Sequence, residues 1–281
     1  MARNVLIEHG YKKSSFEFGG IRHDVYRGGT VGPPILLLHE MPSLSYRTVQ
    51  LADSICAAGF RIVMPILIGG IRNKPRNRIE KAAATVAGTL EVLPRVIQVC
   101  VSWQFVALAQ RRTSPITMWL LELARNEAAA VSRRRVGVIG MCFSGGFALA
   151  TAIDPVVGVA VVSQPAMPFA WFPLNKIPGQ SSSVGLADED WQRLLDRRDG
   201  TGVCIRTLRF ERDAMSPAAR VARIKAALAP TEEFDCIRSE KSSAHSVLTD
   251  ATDEPKDPST ADDIARALES VVTTLREQLV D

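Results

Sequence analysis

Short apolar runs alternate along this chain with longer stretches in which apolar residues recur every three or four positions. Ile35 to Leu38, Arg61 to Met64, Val136 to Ile139 and Val156 to Val162 predict strands buried on both faces. A helix is predicted between the first two, from about Tyr46 to Ala58, with Gly59 closing it as a C-cap. Strand, helix and strand with short links begin a doubly wound parallel sheet. Ahead of them, Phe16-Glu17-Phe18 and Ile21 to Tyr26, joined by Gly19-Gly20, predict an edge hairpin that Pro33-Pro34 ends. Further strands are expected at Val203 to Phe210 and Glu233 to Arg238. Helices are expected over 188–198, from Pro217 to about Leu228, and over 260–279, the last amphipathic.

The interval between the strands near 61 and 136 exceeds a simple crossover. Residues 69–78 read as a basic loop, and 79–110 as helical with a break at Pro94. A clearer helix follows over 114–131, with Ser114 as cap, Pro115 in its first turn, and Trp119, Leu120 and Leu123 on its apolar face. Segment 66–110 is therefore expected to be a helical insertion. It is either a lid near the site or a packing insertion that touches no substrate. The fold class is α/β: a mostly parallel central sheet flanked by helices, in one domain over residues 1–281.

Composition narrows the function. The 281 residues are 46% hydrophobic, enough for one sizeable core. Net charge is +4, and the basic residues lie in short pairs or in Arg133-Arg134-Arg135 before a strand, with no aromatic-interleaved basic face, so nucleic acid is not expected as a partner. The five cysteines are widely spaced and odd in number. They suggest neither a disulfide framework nor a metal site, and fit a reduced, cytoplasmic setting. The N-terminus lacks a signal-peptide core, and the apolar stretch Val96 to Ala109 is too short to span a bilayer, so no membrane association is expected.

The chemistry is concentrated in Arg135 to Gly146. A buried strand runs into Gly140-Met141-Cys142-Phe143-Ser144-Gly145-Gly146, and an apolar helix starts at Phe147. So tight a strand-to-helix turn strains its apex and demands small residues two before and two after it. Gly140 and Ser144 meet that demand around Cys142. The turn then sets the sulfur at a helix N-terminus, which favours a thiolate. A second frame puts Ser144 at the apex between Cys142 and Gly146. The apolar run stops at Ile139, which favours Cys142. The blander alternative is an ordinary buried cysteine.

A cysteine nucleophile needs a base, and the base an orienting acid. Of His9, His23, His39 and His245, only His245 lies on a loop after a late strand, and Asp213 lies on the loop after the preceding one. The order nucleophile, acid, histidine is that of the α/β-hydrolases. Glu211 is the fallback acid. Glu40 follows an apolar strand. Beside a thiol it could exchange a proton with Cys142; the alternative is a surface acid paired with a loop arginine. His39 reads as a packed structural residue.

With these pieces the chain resembles the dienelactone hydrolase family, over roughly Pro34 to Thr249. The resemblance rests on Gly140 to Gly146, Asp213 with Pro217, His245, and His39-Glu40. It implies an α/β-hydrolase fold and a Cys142–His245–Asp213 triad. It further implies that Glu40 points at the nucleophile, and that the backbone N–H groups of Met41 and Phe143 form the oxyanion hole. The best-known substrates of that family are cyclic enol-lactones. Two departures bear on the substrate: Ser144 replaces the glycine of the short members, and segment 66–110 is longer. The expected activity is hydrolysis of a carboxylic ester or lactone through an acyl-enzyme, with no metal or organic cofactor. The rivals are a non-catalytic small-molecule or partner-binding member of the fold and a Ser144 esterase. The sequence leaves the oligomeric state open.

Overall fold

The computed structural model describes residues 4–105, 113–170, 173–199, 202–228, 234–239, 244–252, 255 and 257–280. Its eight main strands are β1 (Lys12–Phe18), β2 (Ile21–Gly28), β3 (Pro34–Leu38), β4 (Arg61–Pro65), β5 (Val136–Met141), β6 (Val157–Ser163), β7 (Cys204–Phe210) and β8 (Phe234–Ile237). They form one sheet in the order β1-β2-β4-β3-β5-β6-β7-β8. β1 pairs antiparallel with β2, and β2 with β4; every later pairing is parallel. The hairpin turn is Gly19-Gly20, both at positive φ, which a two-residue turn matching the sheet's twist requires. A separate two-stranded ladder joins Leu44–Ser45 to Ile71–Arg72 inside the expected basic loop.

Alternation along the strands divides the core in two. Leu36 and Leu38 of β3, with Val136 and Val138 of β5, face one cluster. Ile35, Leu37, Ile139 and Met141 face the other. The helices supply the outer layers. α1 (Val5–Glu8) and α2 (Tyr46–Ala57) lie on the second face; α3 (Arg78–Val101), α4 (Pro115–Ala130) and α5 (Gly145–Thr151) lie on the first. α6 (Asp188–Asp199), α7 (Ala218–Leu228), α8 (Val247–Asp250) and α9 (Ala261–Leu279) complete the chain. Ser114 caps α4 by accepting from the Thr117 amide, with Pro115 at the first position. Gly59, at φ +98°, follows α2 and donates back to Cys56.

The helical stretch after residue 79 differs from expectation. α3 begins at Arg78, where the Asn77 side chain accepts from the Glu80 amide. It runs through Pro94 to Val101 without a break. Pro94 is exposed, so water can meet the Leu90 carbonyl that loses its amide partner. Residues 106–110 of that expected segment, and Arg111-Arg112, lie outside the described residues. So does Glu233, the expected first residue of the last strand.

Candidate active site

β5 extends past Ile139 to Met141 and delivers Cys142 directly to the turn. Cys142 has φ +58°, a left-handed backbone that a side-chain-bearing residue adopts only under constraint. Gly140 shows why small neighbours are needed. A Cβ there would lie 2.4 Å from the Ser144 carbonyl oxygen and 2.7 Å from Ala148 Cβ. The Cys142 carbonyl accepts from the Ala166 amide, which ties the loop after β6 to the elbow.

Ser144 is fully buried, and its Oγ is enclosed by backbone. It accepts from the Met141 amide at 2.9 Å. Its single proton faces the carbonyls of Leu38, His39 and Met141, at 3.0, 3.0 and 2.9 Å. The hydroxyl thus fastens the elbow to the end of β3, and all of these partners are backbone groups, with no imidazole among them.

The loops after β7 and β8 bring Asp213 and His245 together. Asp213 Oδ2 lies 2.7 Å from His245 Nδ1, and both side chains are buried. Asp213 Oδ1 accepts from the amides of Met215 and Ser216, so the same carboxylate holds its own turn. Burial disfavours the charged imidazole of His245, but the Cys142 sulfur and Asp213 outweigh it and raise its pKa to about 10. The other ring nitrogen, Nε2, is buried without a hydrogen bond of good geometry, and the sulfur of Cys142 is the first of the groups that favour its proton. Glu211 is exposed, and the carboxylate bonded to His245 is that of Asp213.

The other histidines are engaged elsewhere. His39 is fully buried; its Nε2 accepts from the Leu67 amide, and its Nδ1 donates to the Glu40 carbonyl. Burial lowers its pKa to about 4, so it is a neutral packed residue. His23 pairs with Gln104 and packs edge-on against Trp119. His9 meets Asp53 at the surface.

Leu38, the last residue of β3, pairs with Gly140, and Glu40 follows two residues later in the loop past the strand end. Its carboxylate accepts from Gln164 Nε2 at 2.6 Å, Ser246 Oγ at 3.0 Å and Thr249 Oγ1 at 3.3 Å. Glu40 therefore links the loop after β6 to the residue beside His245. Gln164 and Ser246 were legible only as loop residues flanking strand ends, and nothing in the pattern marked Thr249. Met41 follows Glu40 and is half-buried. Phe143 follows Cys142, with its buried ring against His39 and Phe147.

A small cleft, partly open to solvent, adjoins the elbow helix. Phe105, Phe143, Phe147, Met167 and Val184 contribute its apolar walls, and Asp190 is the charged residue among its described lining. Among the described residues, no group of three His, Cys, Asp or Glu side chains is placed to hold a metal ion.

No protein-family model and no curated protein matches the sequence. Solved structures do. A structure described as m3DLH is 16% identical, with TM-score 0.57, covering 96% of this chain and 98% of its own. One from Klebsiella pneumoniae subsp. pneumoniae MGH 78578, assigned as a dienelactone hydrolase, is 15% identical, with TM-score 0.52 and coverage of 94% and 98%. A cold-adapted esterase from an Arctic intertidal metagenomic library is 14% identical, with TM-score 0.55 and coverage of 96% and 94%. Strand order, elbow and these likenesses agree: the chain has the α/β-hydrolase fold.

Proposed function

We propose that this protein hydrolyses a carboxylic ester or lactone with Cys142 as nucleophile, His245 as acid and base, and Asp213 as its orienting carboxylate. The observation that carries this reading is the buried 2.7 Å His245–Asp213 contact, with Cys142 at the strained apex raising the histidine's pKa. The sulfur attacks the carbonyl carbon, and the carbonyl π pair moves onto oxygen. The backbone N–H groups of Phe143 and Met41 are assigned to that oxyanion. Collapse breaks the C–O bond, and the departing oxygen takes a proton from His245; in a lactone it stays tethered to the acyl group. His245 then takes a proton from water as the water oxygen attacks the thioester. The second collapse releases the carboxylic acid and returns the thiolate. Glu40 braces the histidine loop through Ser246 and is assigned to exchange a proton with the Cys142 sulfur.

The cleft bears on substrate class. Its lining holds Phe143, Gly146 and Phe147 of the turn and its helix but not Cys142 or His245, and it mixes aromatic rings with Thr113, Ser114, Thr117 and Asp190, so we assign to it only the part of the substrate remote from the carbonyl, where the Asp190 carboxylate disfavours an anionic group. The enclosure of Ser144 Oγ by three carbonyls disfavours the serine esterase reading. The test is a panel of aryl esters and lactones, with acyl-enzyme trapped by rapid acid quench and located by peptide mass. A thioester on Cys142 supports the reading. Turnover that survives Cys142→Ala overturns it, and no turnover of any ester or lactone favours a binding role.

A further inference from the structure

Arg220 is 1% exposed and shares the buried face of α7 with Val221, Ile224 and Leu228. A guanidinium on such a face must find its hydrogen-bond partners locally. It finds them in the backbone of two loops. Nε donates to the Ser183 carbonyl at 2.6 Å and Nη1 to that of Pro165 at 2.9 Å. Nη2 donates to the carbonyl of Pro168 and, at 3.4 Å, to that of Gln180. Among the described residues these partners are all backbone carbonyls, with no carboxylate among them. Burial lowers the Arg220 pKa only to about 10, so the group stays charged at neutral pH.

The carbonyls that Arg220 gathers belong to the backbone lying over the elbow. Between Pro165 and Pro168, the Ala166 amide donates to the Cys142 carbonyl at 3.0 Å. A Cβ on Gly145 would lie 3.0 Å from Pro165 Cα, and one on Gly146 3.4 Å from the Met167 carbonyl oxygen. Segment 165–168 therefore sits directly on the first turn of α5. A Cβ on Gly185 would lie 3.1 Å from Pro168 Cδ, so the loop that carries Ser183 backs the same segment. On its other side, α7 follows the turn that the Asp213 carboxylate caps. Arg220 thus joins the helix behind the acid to the backbone over the nucleophile.

We propose that Arg220 is a positioning residue for Cys142, holding segment 165–168 on the elbow so that the sulfur stays within reach of His245; this deepens the reading of Cys142 as the nucleophile. Cys142, at φ +58°, keeps a backbone that its surroundings must enforce, and the Ala166 amide is a direct hold on its carbonyl. The planar guanidinium suits the task. Its three nitrogens reach carbonyls on two loops, a spread that the single ammonium of a lysine does not match. Arg197 offers a matched contrast. It too is buried and donates to two carbonyls, those of Ala152 and Val157, but Val157 opens β6 at the end of the sheet away from the elbow.

The rate at which iodoacetamide alkylates Cys142 at neutral pH, followed by peptide mass, reads the thiol without any substrate. Arg220→Lys should slow it on the order of 10-fold, and kcat for an ester by a similar factor, at a temperature where circular dichroism shows the variant folded. Arg197→Lys should lower Tm and leave the alkylation rate unchanged. Gly185→Ala, which presses a Cβ on Pro168 with Arg220 in place, should slow alkylation at least ~3-fold. Unchanged or faster alkylation in folded Arg220→Lys overturns the proposal, as does an equal slowing in Arg197→Lys. Where Arg220→Lys does not fold, Gly185→Ala decides, and an unchanged rate in it overturns the proposal. Turnover that survives Cys142→Ala counts against the nucleophile reading alone, because alkylation reads the placement of the thiol independently of turnover.

Discussion

Removing the Ser144 hydroxyl separates a structural role from a chemical one. In Ser144→Ala the Met141 amide loses its acceptor at 2.9 Å, and one of three carbonyls loses its donor. The site is fully buried, so water does not replace them readily. An unsatisfied buried amide costs roughly 1–3 kcal/mol and a lost neutral hydrogen bond about 1 more, so a destabilisation of about 3 kcal/mol is expected. For a chain of this size that lowers Tm by about 6–12 °C. The elbow should still form, because alanine satisfies the size limit that Gly140 reveals. Hydrolysis well below the new Tm should therefore fall by less than ~10-fold, about 1.4 kcal/mol. Differential scanning fluorimetry reads the first quantity and initial rates the second. Unchanged Tm with abolished turnover would refute the reasoning and make Ser144 the nucleophile.

Cys142→Ala should lower kcat/KM by on the order of 10³-fold or more, with little change in fold, and a variant of near wild-type rate would end the cysteine assignment. Gly140→Ala should destabilise by about 1–3 kcal/mol, because its Cβ meets backbone instead of a yielding side-chain end; an unchanged Tm would mean the elbow can shift freely. His245 has a pKa raised from 6.5 to about 10, so its stabilising contribution is complete below about 6.5 and is lost as pH rises through about 10. The Tm advantage of wild type over Asp213→Asn should accordingly shrink between pH 7 and pH values above 10, and a constant advantage would contradict the coupling. Glu40→Gln should slow the chemical step at least ~10-fold, about 1.4 kcal/mol, and shift the thiolate absorbance titration; unchanged rate and titration would remove its assigned role.

The sheet was legible because buried parallel strands must be apolar on both faces. The runs at 35–38, 61–64, 136–139 and 156–162 each lie within a residue or two of an observed strand. Asp213 and His245 were legible because a parallel sheet presents its strand ends along one edge, so chain order becomes spatial order. What pattern could not show was how the carboxylates divide their oxygens. Asp213 is a turn cap and the histidine's partner at once, one oxygen for each. Glu40 bonds Gln164, Ser246 and Thr249, a set drawn from loops far apart in sequence. Pro94 misled because proline penalises a buried helix interior most, whereas here it faces solvent on a largely exposed helix. Local rules thus place the backbone that carries the site. The allocation of each polar atom follows only from which loops the sheet edge makes neighbours. The Ser144 departure belongs to that second kind: it reads as an anomaly in the motif and is a fastener between two adjacent strands in the fold.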